Sequence, residues 1–316
     1  MLTGSIPNCL GNLTKLTNLS LSVNNLSGLI SQELGKLMNL ENLGLFENKL
    51  TGSIPNNLGN LTKLTDLSLF ENNLSRHIPQ ELGYLVNLKN LSLSSNNLIG
   101  SIPNCFGPLT KLTFLSMFEN QLSGPIPQNI GLFMNLNVLE IGLNNISVHD
   151  NGLVGPFPTS LLNCKTLVRV RLEQNQLEGD ISELGLHPNL VYIDMSSNKL
   201  FGLLSHHWGE CTKLTALRAS NNRITGAIPS SMGKLSQLGR LDVSSNKIEE
   251  HIPPEIGNIV SLFNLRLANN MLQGNIPKEV GSLQNLEYLD LSSNNLSGRI
   301  QGSIENCLKL RSLTRT

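Results

Sequence analysis

Leucine recurs along this chain in a fixed phase. In the stretch Leu64-x-x-Leu67-x-Leu69-x-x-Asn72-x-Leu74, apolar and polar positions alternate and then close on an asparagine. The same frame returns with its asparagine at Asn24, Asn48, Asn72, Asn96, Asn120 and Asn144, each 24 residues from the last. It resumes at Asn175, Asn198, Asn222, Asn246, Asn270 and Asn294, with a first step of 23 residues and 24 thereafter. Residues two apart on a strand leave by the same face, so Leu67 and Leu69 predict a short strand with both leucines inward. Leu64, Leu74, Ile78 and Leu82 complete one apolar layer, which is too small to stand without a layer above and below it. Asn72 falls where the strand must turn. Its amide both donates and accepts, and so can satisfy backbone groups that a buried turn leaves unpaired.

A period of 24 with this Leu/Asn frame is the signature of a leucine-rich-repeat solenoid. The expected fold is a single domain over residues 1–316 of about 12 repeats, an α/β-type right-handed superhelix with a horseshoe curve. A parallel β-sheet is expected on the concave face, with short 3-10 or irregular segments on the convex face. The register breaks once, where a second Asn-x-Leu-x-Gly pattern starts at Asn151, seven residues after Asn144. This seven-residue insertion, near 145–151, is expected to bulge from the stack; such loops often contact partners and cost little entropy.

After the asparagine most repeats read Leu-x-Gly-x-Ile-Pro, as in Leu50-Thr51-Gly52-Ser53-Ile54-Pro55 and Leu272-Gln273-Gly274-Asn275-Ile276-Pro277. This segment resembles the plant-specific subclass of leucine-rich repeats. The wording of residues 169–177 and 285–298 is similar to the extracellular part of plant receptor-like kinases. The resemblance implies a glycoprotein on the extracellular side of the plasma membrane. It also implies a solenoid that binds a secreted peptide or protein ligand, with a shorter leucine-rich-repeat co-receptor kinase as a further partner. In that family a separate transmembrane helix and kinase carry the signal. Two other readings stand beside it: a secreted inhibitor similar to the plant proteins that block fungal polygalacturonases, and a non-functional receptor fragment.

Charge narrows the field. With 23 basic and 23 acidic residues and no basic run, nucleic acid is not an expected partner. The chain enters directly into a repeat, without a basic segment followed by an apolar one, and no run of about 18 apolar residues occurs, so no direct membrane insertion is expected. Both ends cut through a repeat and the family's paired-cysteine caps are missing, which reads as a fragment or an incomplete gene model. No Gly-rich phosphate loop, His-Arg-Asp loop or Asp-Phe-Gly motif is present, so no enzyme activity is assigned to these residues. No cofactor and no metal are expected either.

Cys164, Cys211 and Cys307 fall at the repeat position of Leu61 and Leu109, which makes them substitutes for core leucines. Bridges are not expected, because Cys164 and Cys211 lie two repeats apart, about 10 Å, beyond the roughly 7 Å that a disulfide spans. The six histidines, among them His77, His187, His251 and the pair His206-His207, form no metal motif and read as surface residues. Asn-x-Ser/Thr sequons make Asn12, Asn18, Asn25, Asn60, Asn73, Asn90, Asn145 and Asn295 candidates for glycosylation.

The residues between the inward leucines should face the concave surface, and ligand contacts should be sought there. In the first half the columns are Phe46, Phe70 and Phe118, interrupted by Ser94, beside Glu47, Glu71 and Glu119, interrupted by Ser95. Exposed aromatic side chains serve as binding anchors, which makes these candidate contacts; a ladder left by repeat duplication explains them equally well. In the second half one column alternates in sign, Arg171, Asp194, Arg218, Asp242, Arg266 and Asp290, and is expected to neutralise itself. Arg169 stands outside that column. Arg169 and Arg171 together suit a carboxylate, and similarity to peptide-sensing receptor kinases implies that such a pair holds a peptide's C-terminus.

Overall fold

The computed structural model describes residues 1–144, 152–300 and 302–314. The insertion and the sequon at Asn145 lie outside the described residues. The described chain divides into two compact units, Met1–Leu167 with Gln174–Gln176, and Val168–Glu173 with Leu177–Thr316.

Each unit is a stack of repeats. In the N-terminal unit the Leu-x-Leu segments form parallel strands at Asn18–Ser20, Asn42–Gly44, Asp66–Ser68, Asn90–Ser92, Phe114–Ser116 and Val138–Glu140. Equivalent residues lie opposite one another, as Leu67 opposite Leu91 and Leu91 opposite Leu115. The C-terminal unit repeats this from Arg169–Arg171 to Ser312–Thr314, with Val170 opposite Ile193 and Ile193 opposite Leu217. Away from the first and last repeats the inward leucines are buried, as the alternation requires.

The asparagines form the expected ladder. Asn72 donates through its amide nitrogen to the carbonyls of Leu45, Leu69 and Phe70 at 3.0, 3.2 and 3.3 Å, and its oxygen accepts from the Leu50 amide at 3.0 Å. The residue before each of these asparagines takes a left-handed conformation without being glycine, as at Glu71 (φ 51°) and Ser95 (φ 51°). Several buried bonds per asparagine outweigh the modest cost of that backbone strain. The bonds that reach the neighbouring repeat span 22 or 27 residues, except that those of Asn198 span 21 and 26 and Asn175 reaches the Ile141 carbonyl across 34.

The expected 3-10 turns are present, and the segments after the ladder asparagines add a second series of parallel strands, including Asn25–Leu29, Lys49–Gly52 and Asn73–His77 in the N-terminal unit and Lys199–Leu203 and Arg223–Gly226 in the C-terminal unit. Here the partners lie 22 residues apart, Gly28 opposite Leu50 and Gly52 opposite Leu74. After most of these strands a proline or serine opens a 3-10 turn, as in Asn56–Asn60 after Pro55, while Leu184–Leu186 opens after Glu183. These turns stack closely enough to exclude a side chain. A Cβ on Gly59 would stand 2.4 Å from the Glu81 carbonyl oxygen of the next turn, which explains the Leu-Gly pair in the turn.

Cys164, Cys211 and Cys307 are buried free thiols in the core column, as their spacing predicts. Each donates to a carbonyl of the preceding turn, Cys164 to Ile130 at 3.5 Å and Cys211 to Gly185 at 3.2 Å. Burial pushes both of these thiols up to about 11. At pH 8 the thiolate fraction of each is then about one in a thousand, and the thiolate is the reactive form. Iodoacetamide is therefore expected to modify exposed Cys9 first and to leave Cys164 and Cys211 untouched until the chain is denatured; peptide mass spectrometry reads the order, and early labelling of either would contradict the placement.

Candidate ligand-binding face

On the N-terminal unit, the sheet face turned away from the core presents four columns. The second is built from small residues, Ser20, Gly44, Ser68, Ser92 and Ser116, and forms a floor. The third carries Phe46, Phe70, Ser94 and Phe118, whose carbonyls join successive strands: the Glu71 amide donates to Ser94 at 3.0 Å and the Ser95 amide to Phe118 at 2.9 Å. Phe46 and Phe70 stack with ring centroids 4.5 Å apart and planes 9° from parallel. Phe46 reaches back over the bare Gly44 position, with its Cε1 3.6 Å from where a Cβ would stand. All three rings are half-buried, so the stripe is a shelf lying on the sheet. Glu47, Glu71 and Glu119 sit beside it, exposed, on the left-handed turn residues, and Glu119 accepts from the Ser95 hydroxyl at 2.8 Å.

The C-terminal unit differs from what its column of alternating charges predicts. The register aligns Arg171, Asp194, Arg218, Asp242, Arg266 and Asp290 on adjacent strands. Arg218 does meet Asp194, at 2.8 Å. Asp242 and Asp290, however, accept from the hydroxyls of Ser244 and Ser292, both at 2.7 Å, two residues further along their own chains. Arg171 turns to Glu173, donating from Nε to Oε1 at 2.8 Å. Burial pushes the Glu173 carboxyl up, while its hydrogen bond from Arg171 pulls it back down and the charge of Asp194 raises it again. Arg169 lies over the Tyr192 ring at 4.3 Å, a cation–π contact. Both arginines are thus already engaged within the protein. The signal was in the sequence: Arg171 and Glu173 are two apart and so share a face.

Among the histidines, His77, His206 and His251 are exposed as expected, and His207 is half-buried. His187 is not at the surface: it is buried with Nδ1 3.0 Å from the Leu184 carbonyl oxygen. Among the described residues no group of three or more His, Cys, Asp or Glu could hold a metal ion, and no helix is long and apolar enough to cross a membrane. Of the sequon asparagines, Asn12 and Asn60 end exposed 3-10 turns, while Asn25, Asn73 and Asn295 lie on second-series strands. Asn18 and Asn90 are on first-series strands, where the Asn90 amide donates to Asp66.

The Leucine Rich Repeat family model matches residues 15–37, 39–61, 87–109, 213–235, 237–259 and 285–307. Among solved structures, the plant peptide hormone receptor RGFR1 in complex with RGF2 is 33% identical, with a TM-score of 0.81 over 98% of this chain and 56% of that one. PEPR1, solved with AtPEP1, is 33% identical with a TM-score of 0.83, over 98% of this chain and 46% of that one. The chain therefore spans about half the length of these receptors. A leucine-rich-repeat protein of Leptospira interrogans is 32% identical with a TM-score of 0.70, over 97% of this chain and 80% of that one. No curated protein matches. With the asparagine ladder, the stacked turns and these likenesses in agreement, the chain belongs to the leucine-rich-repeat family, built in the manner of the plant receptor ectodomains.

Proposed function

We propose that the chain is the ligand-binding extracellular region of a plant receptor kinase, sensing a secreted peptide or protein on the outward sheet face. The observation that carries this reading is the likeness, over 98% of the chain, to a receptor solved with a peptide hormone. Phe46, Phe70, Phe118, Glu47, Glu71 and Glu119 are the proposed contacts on the N-terminal unit, and Arg169 and Arg171 those on the C-terminal unit. Arg171 must exchange its bond to Glu173 for a ligand carboxylate, which weakens the net gain at that site. A shorter leucine-rich-repeat co-receptor kinase is the proposed second partner.

The test is a binding screen of the chain, secreted from plant or insect cells, against a library of secreted plant peptides. Saturable binding that weakens about tenfold or more on Phe70→Ala, the scale of an aromatic anchor, supports the reading and places the ligand. A folded sample that binds nothing from the library overturns it.

A further inference from the structure

The break in the phenylalanine column has a definite width. Phe70, Ser94 and Phe118 are consecutive in the third column, and their strands are joined by backbone hydrogen bonds. At about 4.8 Å per strand the two rings stand roughly 9 to 10 Å apart. A ring midway between them would lie about 4.8 Å from each, inside the range in which aromatic pairs attract. The neighbouring pair Phe46–Phe70 already realises that spacing at 4.5 Å. The gap therefore takes one ring and is too narrow for two. Its base is polar, since the Ser92 and Ser94 hydroxyls stand 3.5 Å apart on the outward face.

Charge adds a second, independent constraint. Across residues 18–23, 42–47, 66–71, 90–95, 114–119 and 138–143, which form this face, Glu47, Asp66, Glu71, Glu119 and Glu140 are acidic and no residue is lysine or arginine. Glu71 and Glu119 follow Phe70 and Phe118 directly, so a carboxylate stands on either side of the gap, with Ser95 between them. A face of one sign attracts the opposite sign and sets the register of an incoming chain.

We infer that the gap at Ser94 is a subsite for a single aromatic side chain of a peptide, and that this side chain is flanked in the peptide by arginine or lysine. The inference rests on the proposal that the outward face binds a peptide, and adds which side chain enters and where.

The probe is acetyl-Arg-(4-fluoro-Phe)-Arg-amide, titrated into the secreted chain and followed by fluorine NMR. Wild-type protein should broaden the resonance saturably. Ser94→Phe, which fills the gap with the protein's own ring, should weaken binding by about tenfold, and acetyl-Arg-Leu-Arg-amide should compete about two- to tenfold less well than its phenylalanine counterpart, the contribution typical of an aromatic pair. Exchanging the probe's arginines for glutamates should abolish binding. Circular dichroism establishes that Ser94→Phe is folded. The subsite is overturned if the probe fails to bind wild type, if folded Ser94→Phe binds it equally well, or if the leucine peptide competes equally. A library peptide whose binding ignores Ser94→Phe would overturn the subsite while leaving the receptor reading intact; probe binding at the gap with an empty library screen would do the reverse.

Discussion

Asn120→Ala is expected to cost the N-terminal unit at least about 1 to 3 kcal/mol, because it strands the buried Leu98 amide and removes three further hydrogen bonds. Asn120 is fully buried. Its amide nitrogen donates to the Leu93 carbonyl at 3.0 Å and to those of Met117 and Phe118 at 3.3 Å, and its oxygen accepts from the Leu98 amide at 3.0 Å. Alanine replaces none of these, so the buried Leu98 amide loses this acceptor, while the Leu93 carbonyl keeps its bond from the Asn96 amide nitrogen at 3.2 Å. Asn97→Ala is the control. Asn97 is an exposed asparagine on the strand that follows the ladder, and its loss should fall within about 0.5 kcal/mol of wild type. Urea denaturation measures both, and amide exchange at Leu98 should accelerate in Asn120→Ala alone. Equal losses in the two variants would mean that the ladder is not what holds the turns.

The ladder, the inward leucines and the buried cysteines were legible because each repeats at one fixed spacing, and repetition reveals what a single segment hides. The second strand series was not. Its members are two to five residues long and most include a glycine, as at Gly28 and Gly52 with φ of 78° and 76°, so no alternation marks them as strands. His187 escaped for a different reason. It occupies the Leu61 column but one repeat has shifted by a residue there, and its burial depends on a bond to Leu184 rather than on periodicity. On the candidate face the columns themselves could be read from register, and the strand pairing follows them. What each charged side chain does could not, since Arg171 had a partner on the next strand and another on its own, and local geometry chose Glu173.

Trp208→Ala should be the most damaging change in the C-terminal unit, at about 3 to 5 kcal/mol. Trp208 fills the turn column that leucine fills at Leu58 and Leu82, in the turn His206–Glu210, and is fully buried. It brings a liability as well as volume, since its indole Nε1 is buried without a hydrogen-bond partner among the described residues. Removing an unpaired donor offsets part of the packing lost, so Trp208→Phe should cost markedly less than the alanine change, about 1 to 2 kcal/mol. Denaturation followed by far-ultraviolet circular dichroism compares the variants on one scale. An alanine variant no less stable than the phenylalanine one would show that volume at this position carries little weight. As the chain's one tryptophan, Trp208 also provides a fluorescence signal for this unit in the wild type.

The reach of the asparagine bonds bears on how such a chain folds. Sheet proteins ordinarily fold slowly because their strands pair across long stretches of sequence, with relative contact orders of about 0.16 to 0.22. Here most ladder bonds between repeats span 22 or 27 residues in a chain of 316, on the order of 0.08, which is the value of a helical bundle. Each repeat closes the same small loop onto its neighbour, so ordering can start at any layer and spread from it. Where Asn175 reaches Ile141 the span grows from 27 to 34 residues, and the added closure entropy is only about 0.2 kcal/mol. An insertion placed between layers in this way scarcely slows the growth of the stack, which leaves such positions open to evolutionary change at almost no kinetic cost.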